Sequence, residues 1–586
     1  MDEYRVTKLW ERYTSGKGYQ AEMGFRDTFP LCVDFKEGRQ WPMPTKATRH
    51  LPRPVFNICE KYVRTKRANV LNQQIKMIFS PSEGNIDATG NPLDAMTAER
   101  EEMGAKSYTD YAAHLWKEID QDDLNEDCLD DAATLGTGIL HYYWDSSVSG
   151  GSRFPYSGAL RGEVLDPLTV LFGNPQETDV QQQPYILIAT RVLVRDVKRL
   201  AEEEGLPKSQ INLICPDEEE PDDYVASRFE NRKELKLTLL TMYYRHHGKV
   251  YYDRATKTVE VIHGRSLTPG YPDLKKGEEE DEAPDEGMSL YPIAVMQWQK
   301  RKRSIYGIGE VEGMIPAQKA INWMIGMDIL SVQDTAWPKM LIKPGALKQE
   351  LTNIPGEIVE DHSLNGNGIS YLHGAGLGEG AITLADKIMD LLQYSSGVSE
   401  VVSGEPFTAT MAASAIIALQ NQAKVPIESI QQRFYRVIRD VGRIWEEFFK
   451  FYYQQPIPVI VEDDLGNEQT IIFFGTDFQQ ENFHLDIDVG AGSVYSESLA
   501  QATLDKLFDA GHIDLDTYIE LCPKNVMPFK EQLQRKVDQL RQQQMMGMPT
   551  NTMQTAPMAE EQGVNAPLGV PLPETPAVPP IGGVTP

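Results

Sequence analysis

The segment 311–332 constrains the fold more than any other part of the chain, because it is typical of a helix that is apolar on nearly every side. A lone surface helix keeps one polar face. A membrane-spanning helix rarely carries charges near its centre, whereas three charged residues interrupt this one. They are Glu312, Lys319 and Asp328. The segment is therefore expected to be buried by protein, either within one chain or between repeated subunits.

The segments that follow predict a series of helices with an insert between the first two. No reactive group stands at the centre of this series. After a stop at Trp337-Pro338 comes an insert rich in Gly and Pro, then a second helix near 383–396. A third helix runs from about 410 to 453, and Pro426 predicts a kink in it. Apolar residues recur there at steps of three and four, which predicts one wide buried stripe. They are Ile427, Ile430, Phe434, Val437, Val441, Trp445 and Phe448.

The remaining patterns predict an α+β fold. Helices are expected over 1–25, from Arg53 to about Phe79, and over 96–135. Short β-branched and aromatic runs make the region 160–265 mainly β, with one short helix near 194–204. Residues 458–461 and 470–474 predict a strand pair. Residues 547–586 are rich in proline and lack aromatic, Lys and Arg residues, so we expect disorder there.

Composition limits the classes of function. The 586 residues include 57 basic and 86 acidic side chains, for a net charge of −29. Duplex DNA is gripped by neutralising phosphates with Lys and Arg, so this chain is not expected to bind DNA by charge alone. Five scattered cysteines without a CxxC pair predict neither a disulfide framework nor a zinc ribbon. Met1–Arg5 has no apolar run, and we expect no secretory signal.

The candidate chemical motifs mostly lack the residues or the geometry that their chemistry requires. We therefore expect no catalytic, cofactor-binding or metal-binding residues. Gly374–Gly380 resembles a phosphate loop but lacks the following Lys-Ser/Thr. Asp120, Asp122 and Asp123 lack the Gly and Glu of a calcium loop. The adjacent His246 and His247 project to opposite faces of a strand. The basic run Lys300–Arg303 fits a structural or subunit contact, and a localisation signal or a phosphate-binding patch is the alternative.

Several motifs together, in their order and spacing, resemble the portal proteins of tailed bacteriophages, most closely those of short-tailed phages with a large wing. The motifs lie within residues 20–455. They are Phe35–Trp41, Arg53–Asn57, Leu135–Gly138, Tyr306–Gly309 with Gln318 and Asn322, and Ser396–Glu400.

The resemblance implies a division into parts. Residues 1–305 would form a wing, 306–337 and 381–396 two stem helices, and 338–380 a clip that faces other proteins. Residues 397–410 would be a tunnel loop, 411–495 a wing helix with a β pair, 496–546 a short crown, and 547–586 a disordered tail. The chain is shorter at its C-terminus than those portals, so a long helical barrel is not expected.

The resemblance also implies roles for particular residues. The tunnel loop would present Val398, Glu400, Val401, Val402, Glu405 and Phe407 to passing DNA. The clip would carry Lys339, Lys343 and Lys348, and the stem would meet its neighbours through Ile321, Trp323, Met324 and Met327.

The implied function is that of a non-enzymatic portal, a ring of twelve copies forming a DNA channel at one capsid vertex of the virion. It would assemble in the host cytoplasm with major capsid and scaffolding proteins. It would dock the terminase large subunit for packaging, join head-tail adaptor and tail proteins, and pass double-stranded DNA non-specifically, with no cofactor and no membrane. The alternative is a nucleotide-dependent DNA packaging or remodelling enzyme.

Overall fold

Two helices open the chain, and a glycine in a left-handed conformation separates them. Helix α1 (Asp2–Glu22) is followed by Gly24 with a φ of 75°, and then by α2 (Phe25–Lys36). Helix α3 (Ile58–Val70) begins where the Asn57 side chain accepts a hydrogen bond from the Glu60 N–H, at 3.3 Å. Such a cap satisfies one of the backbone donors that a helix start leaves free.

The structure is a computed structural model, and it divides into two units, Met1–Asp505 and Lys506–Pro586. The described residues are 2–73, 75–81, 95–150, 155–218, 222–224, 228, 234–274, 287–336, 339–346, 362, 368–372, 379–396, 413–462, 468–489, 504, 506–508, 513 and 518. In the second unit Lys506–Phe508 is helical, and the rings of Phe508 and Tyr518 lie 4.9 Å apart. The predicted tunnel loop, most of the crown and the tail lie outside the described residues.

Two sequence-based predictions about the first 135 residues were wrong. The helix predicted to reach Phe79 ends at Val70, and β1 (Ile75–Pro81) follows it. The long helix predicted over 96–135 is two helices, α4 (Ala95–Glu118) and α5 (Gln121–Leu135). Asp120 divides them with a φ of 51°, a left-handed conformation that Asp tolerates better than most residues.

The middle of the chain is mainly β, as predicted, and forms two antiparallel sheets. The three-stranded sheet has the order β3-β2-β9, and the five-stranded sheet runs β4 to β8 in sequence. Their strands are β2 (Thr137–Gly150), β3 (Tyr156–Leu165), β4 (Val170–Phe172), β5 (Tyr185–Leu193), β6 (Lys236–His246), β7 (Lys249–Ala255), β8 (Glu260–Ser266) and β9 (Ile293–Gln297). Two helices follow β5, namely α6 (Val194–Glu203), where one was predicted, and the short α7 (Lys208–Ile211).

Strands β5 and β6 of the five-stranded sheet are largely buried on both faces, so they contain nearly continuous apolar runs. On β5, Ile186 and Ile188 join the main core, whereas Leu187 and Ala189 face a second core built with α1. Successive strand residues point to opposite faces, which explains this alternation. The turn between β6 and β7 places His247 and Gly248 at φ values of 47° and 80°. Two residues with positive φ are what a tight two-residue hairpin requires.

The three helices predicted after residue 304 are confirmed. They are α8 (Glu310–Ala336), α9 (Glu379–Ser396) and α10 (Ala413–Tyr452), and a hairpin of β10 (Lys339–Ile342) and β11 (Ile369–Leu372) lies between the first two. The predicted strand pair is β12 (Ile457–Glu462) with β13 (Glu468–Phe473), and β14 (Phe483–Val489) pairs with β1. Pro426 lies inside α10, and the kink there stays a prediction. In the described part of the chain, no helix combines the length and apolarity that crossing a membrane requires.

The main core centres on the apolar stripe of α10. Phe434, Val441, Trp445 and Phe448 are each at most 1% exposed. An aromatic group extends this core toward α4, where the rings of Tyr111 and Phe473 stack at 3.9 Å. The Phe449 ring of α10 lies 5.0 Å from Tyr111 and 5.6 Å from Phe473. Large aromatic side chains supply much of the buried apolar area in such cores, so these contacts hold α10 against α4 and β13.

Three glycines let two of the sequence motifs touch through their backbones. A Cβ atom on Gly307 would lie 2.1 Å from the Gly136 carbonyl oxygen, and one on Gly309 would lie 2.6 Å from that of Thr134. Gly136 also has a φ of 95°, which side-chain-bearing residues rarely adopt. The start of α8 therefore rests directly on the junction between α5 and β2.

We expect Gly307→Ala to lower the free energy of unfolding by about 1–3 kcal/mol, because the methyl group meets backbone that cannot rotate away. Gly313→Ala is the matched control, since nothing lies within 4 Å of a Cβ atom there. It sits inside α8, where Ala should add about 0.5–1 kcal/mol. Urea unfolding midpoints measure both, and equal midpoints for the two variants would contradict this account of the contact.

Candidate assembly surface and channel elements

A buried ion pair fixes the first turn of α8. The Lys66 ammonium donates to Glu310 at 2.5 Å, and both side chains are less than 10% exposed. The indole N–H of Trp298 donates to the other Glu310 oxygen at 3.0 Å. A carboxylate in the first turn also interacts favourably with the helix dipole. The N-terminal end of α8 is thus held by α3 and by the residue that follows β9.

A buried amide network fixes the next two turns of α8. Gln318 and Asn322 are four residues apart, so they lie on one helix face, and both are at most 2% exposed. The Gln318 amide donates to the Phe56 carbonyl at 2.6 Å and to Asn322 at 3.0 Å. The Ile58 N–H donates to Gln318 at 3.0 Å.

The network continues beyond α8 into a second sequence motif. The Asn322 amide donates to the Gln40 side-chain oxygen at 2.6 Å. The Gln40 amide in turn donates to the Phe35 carbonyl at 2.8 Å and to Asn57 at 3.1 Å. Buried polar groups are costly unless they are hydrogen-bonded, so this network specifies one docking position for α8. Three motifs that are far apart in the sequence meet at this point.

The outer half of α8 is left open in the protomer. Trp323 and Met327 are each 55% exposed, and Val332 is 61% exposed. The Trp323 ring lies 5.4 Å from that of Trp41 and is tilted by 60° to it. Of the four predicted stem contacts, Met324 is partly buried, whereas Ile321 is fully buried in the protomer's own core.

Beside the exposed residues runs an apolar groove with a cavity volume of about 130 Å³. We call it the outer groove. It is lined by Trp41, Pro42, Thr48, Leu51, Pro52, Arg53, Trp323, Gly326, Met327 and Leu330. Two elements therefore form it, the loop before α3 and the outer half of α8.

Helix α9 adds a second exposed apolar surface. Leu384 is 51% exposed and Leu391 is 66% exposed, whereas Leu392 is 5% exposed. Large apolar patches on a soluble protein mark surfaces that contact another molecule. Together α8 and α9 present apolar side chains that this protomer does not cover.

The hairpin of β10 and β11 lies within the predicted clip. Leu341 and Ile342 are 49% and 40% exposed, and the Lys343 N–H donates to the Gly368 carbonyl at 2.9 Å. Of the three predicted clip lysines, Lys343 has an exposed side chain. Lys339 occupies the register position opposite Leu372, and Lys348 lies outside the described residues. A two-stranded hairpin is marginally stable alone, so packing against another surface would favour it.

The six predicted tunnel-loop residues lie outside the described residues. They are Val398, Glu400, Val401, Val402, Glu405 and Phe407. Of the glycine-rich run Gly374–Gly380, only the last two residues are described, and they begin α9. The loop and its proposed role therefore stay predictions.

One group of metal-ligating side chains converges among the described residues, away from α8. The His263 Nδ1 atom lies 3.0 Å from Glu260 and 3.5 Å from Asp253. The Arg5 guanidinium hydrogen-bonds to the same imidazole. A cation is thus already present beside these carboxylates, and the group ties α1 to β8.

Comparison with protein families identifies the region that contains this surface. Residues 277–504 match the family described as phage P22-like portal protein. The matched stretch includes α8, the hairpin of β10 and β11, α9 and α10. A search of the curated proteins gives no match. Residues 277–504 thus carry a P22-like portal domain, which confirms the resemblance to tailed-phage portal proteins recognised from the sequence motifs.

Proposed function

We propose that this chain assembles into a closed ring that forms a DNA channel at one capsid vertex, in which α8 and α9 are the stem. The exposed apolar surface on these two helices is the observation that carries the proposal. Trp323, Met327 and Leu391 are each more than half exposed in the protomer, and a second copy would bury them. Ile321 is already fully buried, so Trp323, Met324 and Met327 are left as the proposed contacts.

The dimensions of α8 support a role in the channel wall. Its 27 residues span about 40 Å at the usual rise of 1.5 Å per residue. The ion pair and amide network hold its first half rigidly against the wing. Its second half is then presented at a fixed angle to the neighbouring copy, as a repeated wall requires.

The charge of the chain supports a channel through which DNA slides. A net charge of −29 gives the assembly a field that repels phosphate, so DNA would not be held at any one position. In the tunnel loop, Glu400 and Glu405 would act in the same way at close range. Contact with passing DNA would then be transient and independent of sequence.

The exposed hairpin supports docking at the clip. Leu341 and Ile342 would contact the terminase large subunit during packaging, and head-tail adaptor and tail proteins afterwards. The wing would meet the major capsid and scaffolding proteins during assembly. In this scheme the ATP-driven motor is another chain, and the portal itself is not an enzyme.

We expect the double variant Met327→Asp and Val332→Asp to fold but to lose the ring. Both positions are more than half exposed in the protomer, at 55% and 61%, so the charges are solvated there. In the proposed interface they would be buried without a partner, which is costly. Sedimentation velocity measures the loss as a shift from a large oligomer to the protomer.

Met96→Asp is the matched control for this experiment. Met96 lies on α4 and is 83% exposed, so the same substitution there should leave the ring intact. A Met327→Asp and Val332→Asp protein that sediments like the wild type would remove α8 from the interface.

We expect the double variant Glu400→Lys and Glu405→Lys to assemble normally but to package DNA poorly. Lysines in the lumen would pair with phosphates and slow the passage of DNA. The measurement is the yield of genome-filled particles beside the yield of rings. The same charge change at Glu202 and Glu203, which are exposed on α6, is the control. Normal packaging and infectivity in the loop variant would place residues 397–410 outside the tunnel.

A further inference from the structure

A basic groove lies between α10 and β9, on the side of α10 that faces away from the aromatic core. Its cavity volume is about 470 Å³. Arg433, Arg436, Asp440 and Arg443 line it from α10, and their spacing of three and four residues places them on one helix face. Lys300, the first residue of the basic run noted in the sequence, lines the opposite side.

The basic groove holds more cations than carboxylates, since Asp179 and Asp440 are the acidic residues among those that line it. Among the described residues, Arg436 and Arg443 form no ion pair within 4 Å, and both are exposed. The buried Nε atom of Arg433 makes no hydrogen bond there. Burial, and then the charge of Arg436, lower the pKa of the Arg433 guanidinium. Like charges crowd one another here, which an anionic partner would relieve.

The first two turns of α5 carry the opposite charge. Asp122, Asp123, Glu126 and Asp127 are all exposed, and we call them the acidic face. Glu126 pairs with Arg67 at 2.9 Å, whereas Asp123 and Asp127 form no ion pair with a described residue. Burial, and then the neighbouring carboxylates led by Asp123, raise the pKa of Asp127. Like charges therefore lie close together in the acidic face, as they do in the basic groove.

These two surfaces lie on different sides of the protomer. Trp445 follows Arg443 by two residues, so the helix turns it about 160° away from the basic groove. The Trp445 ring lies 6.2 Å from that of Trp116, whose indole N–H donates to Asp122 at 2.9 Å. A contact between two different surfaces of identical copies is heterologous, and it closes into a ring when the rotation permits.

We infer that the basic groove of one copy receives the acidic face of the next copy in the ring. This inference rests on the proposed ring and adds a second, electrostatic contact to the apolar one on α8. Complementary charge speeds encounter and selects one register more than it adds affinity. It would therefore decide which surfaces of neighbouring protomers meet before the apolar stem residues are buried.

Two charge-reversal variants test the inference when they are mixed. One carries Arg436→Glu and Arg443→Glu, and the other carries Asp123→Arg and Asp127→Arg. Alone, each places like charges opposite each other at every contact, so we expect the protomer rather than the ring in sedimentation velocity. In a mixture each groove meets a face of opposite charge, and we expect alternating rings with an even number of subunits.

Controls separate this inference from the proposed function. Arg195→Glu with Arg199→Glu makes the same charge change on exposed residues of α6, and it should leave the ring unchanged. Circular dichroism and the melting midpoint check that each variant folds. If the wild type forms no ring, the proposed function itself fails.

Two results would overturn the inference while the ring stands. The first is that either variant alone assembles like the wild type, or that the mixture of folded variants stays dissociated. The second is a gel shift of duplex DNA by the wild type that is lost in Arg436→Glu with Arg443→Glu while assembly is unchanged. The basic groove would then be a nucleic-acid site rather than a contact between copies.

Discussion

The docking of α8 onto the rest of the protomer is the constraint on which the proposed assembly depends. The Lys66–Glu310 ion pair and the Gln318–Asn322 amide network are buried and hydrogen-bonded, so any shift of the helix would leave polar groups unpaired. The backbones of Gly136 and Gly307 are in direct contact, so the start of α8 cannot move closer to the junction between α5 and β2. A rigid first half is what gives the exposed second half a defined direction.

A lone protomer leaves two features unsatisfied, namely exposed apolar side chains and like charges that lie close together. Met327 and Leu391 lose favourable burial in a lone protomer, and the arginines of α10 and the carboxylates of α5 repel their own neighbours. In the proposed ring a second copy would relieve both at once, because apolar burial supplies affinity and opposite charge supplies register. In this proposal the polar network inside the protomer and the exposed surfaces outside it would serve one assembly.

The sequence predicted those elements that are determined by residues close together in the chain. The apolar period of Phe434, Val441 and Phe448 located α10, and the motif residues Gln318 and Asn322 proved to share a network. Elements fixed by distant partners were missed. The strand Ile75–Pro81 pairs with Phe483–Val489, and no local pattern reports a partner about 400 residues away. Periodicity likewise marks Ile321 and Met327 as apolar without telling which is covered by its own chain.

An electron cryo-microscopy map of the purified, assembled chain tests the central claim most directly. We expect a closed ring with an open axial channel, in which Trp323 and Met327 of each subunit are buried against the next subunit. The contrary result is a ring in which these side chains face solvent, or a protein that remains a protomer at micromolar concentration.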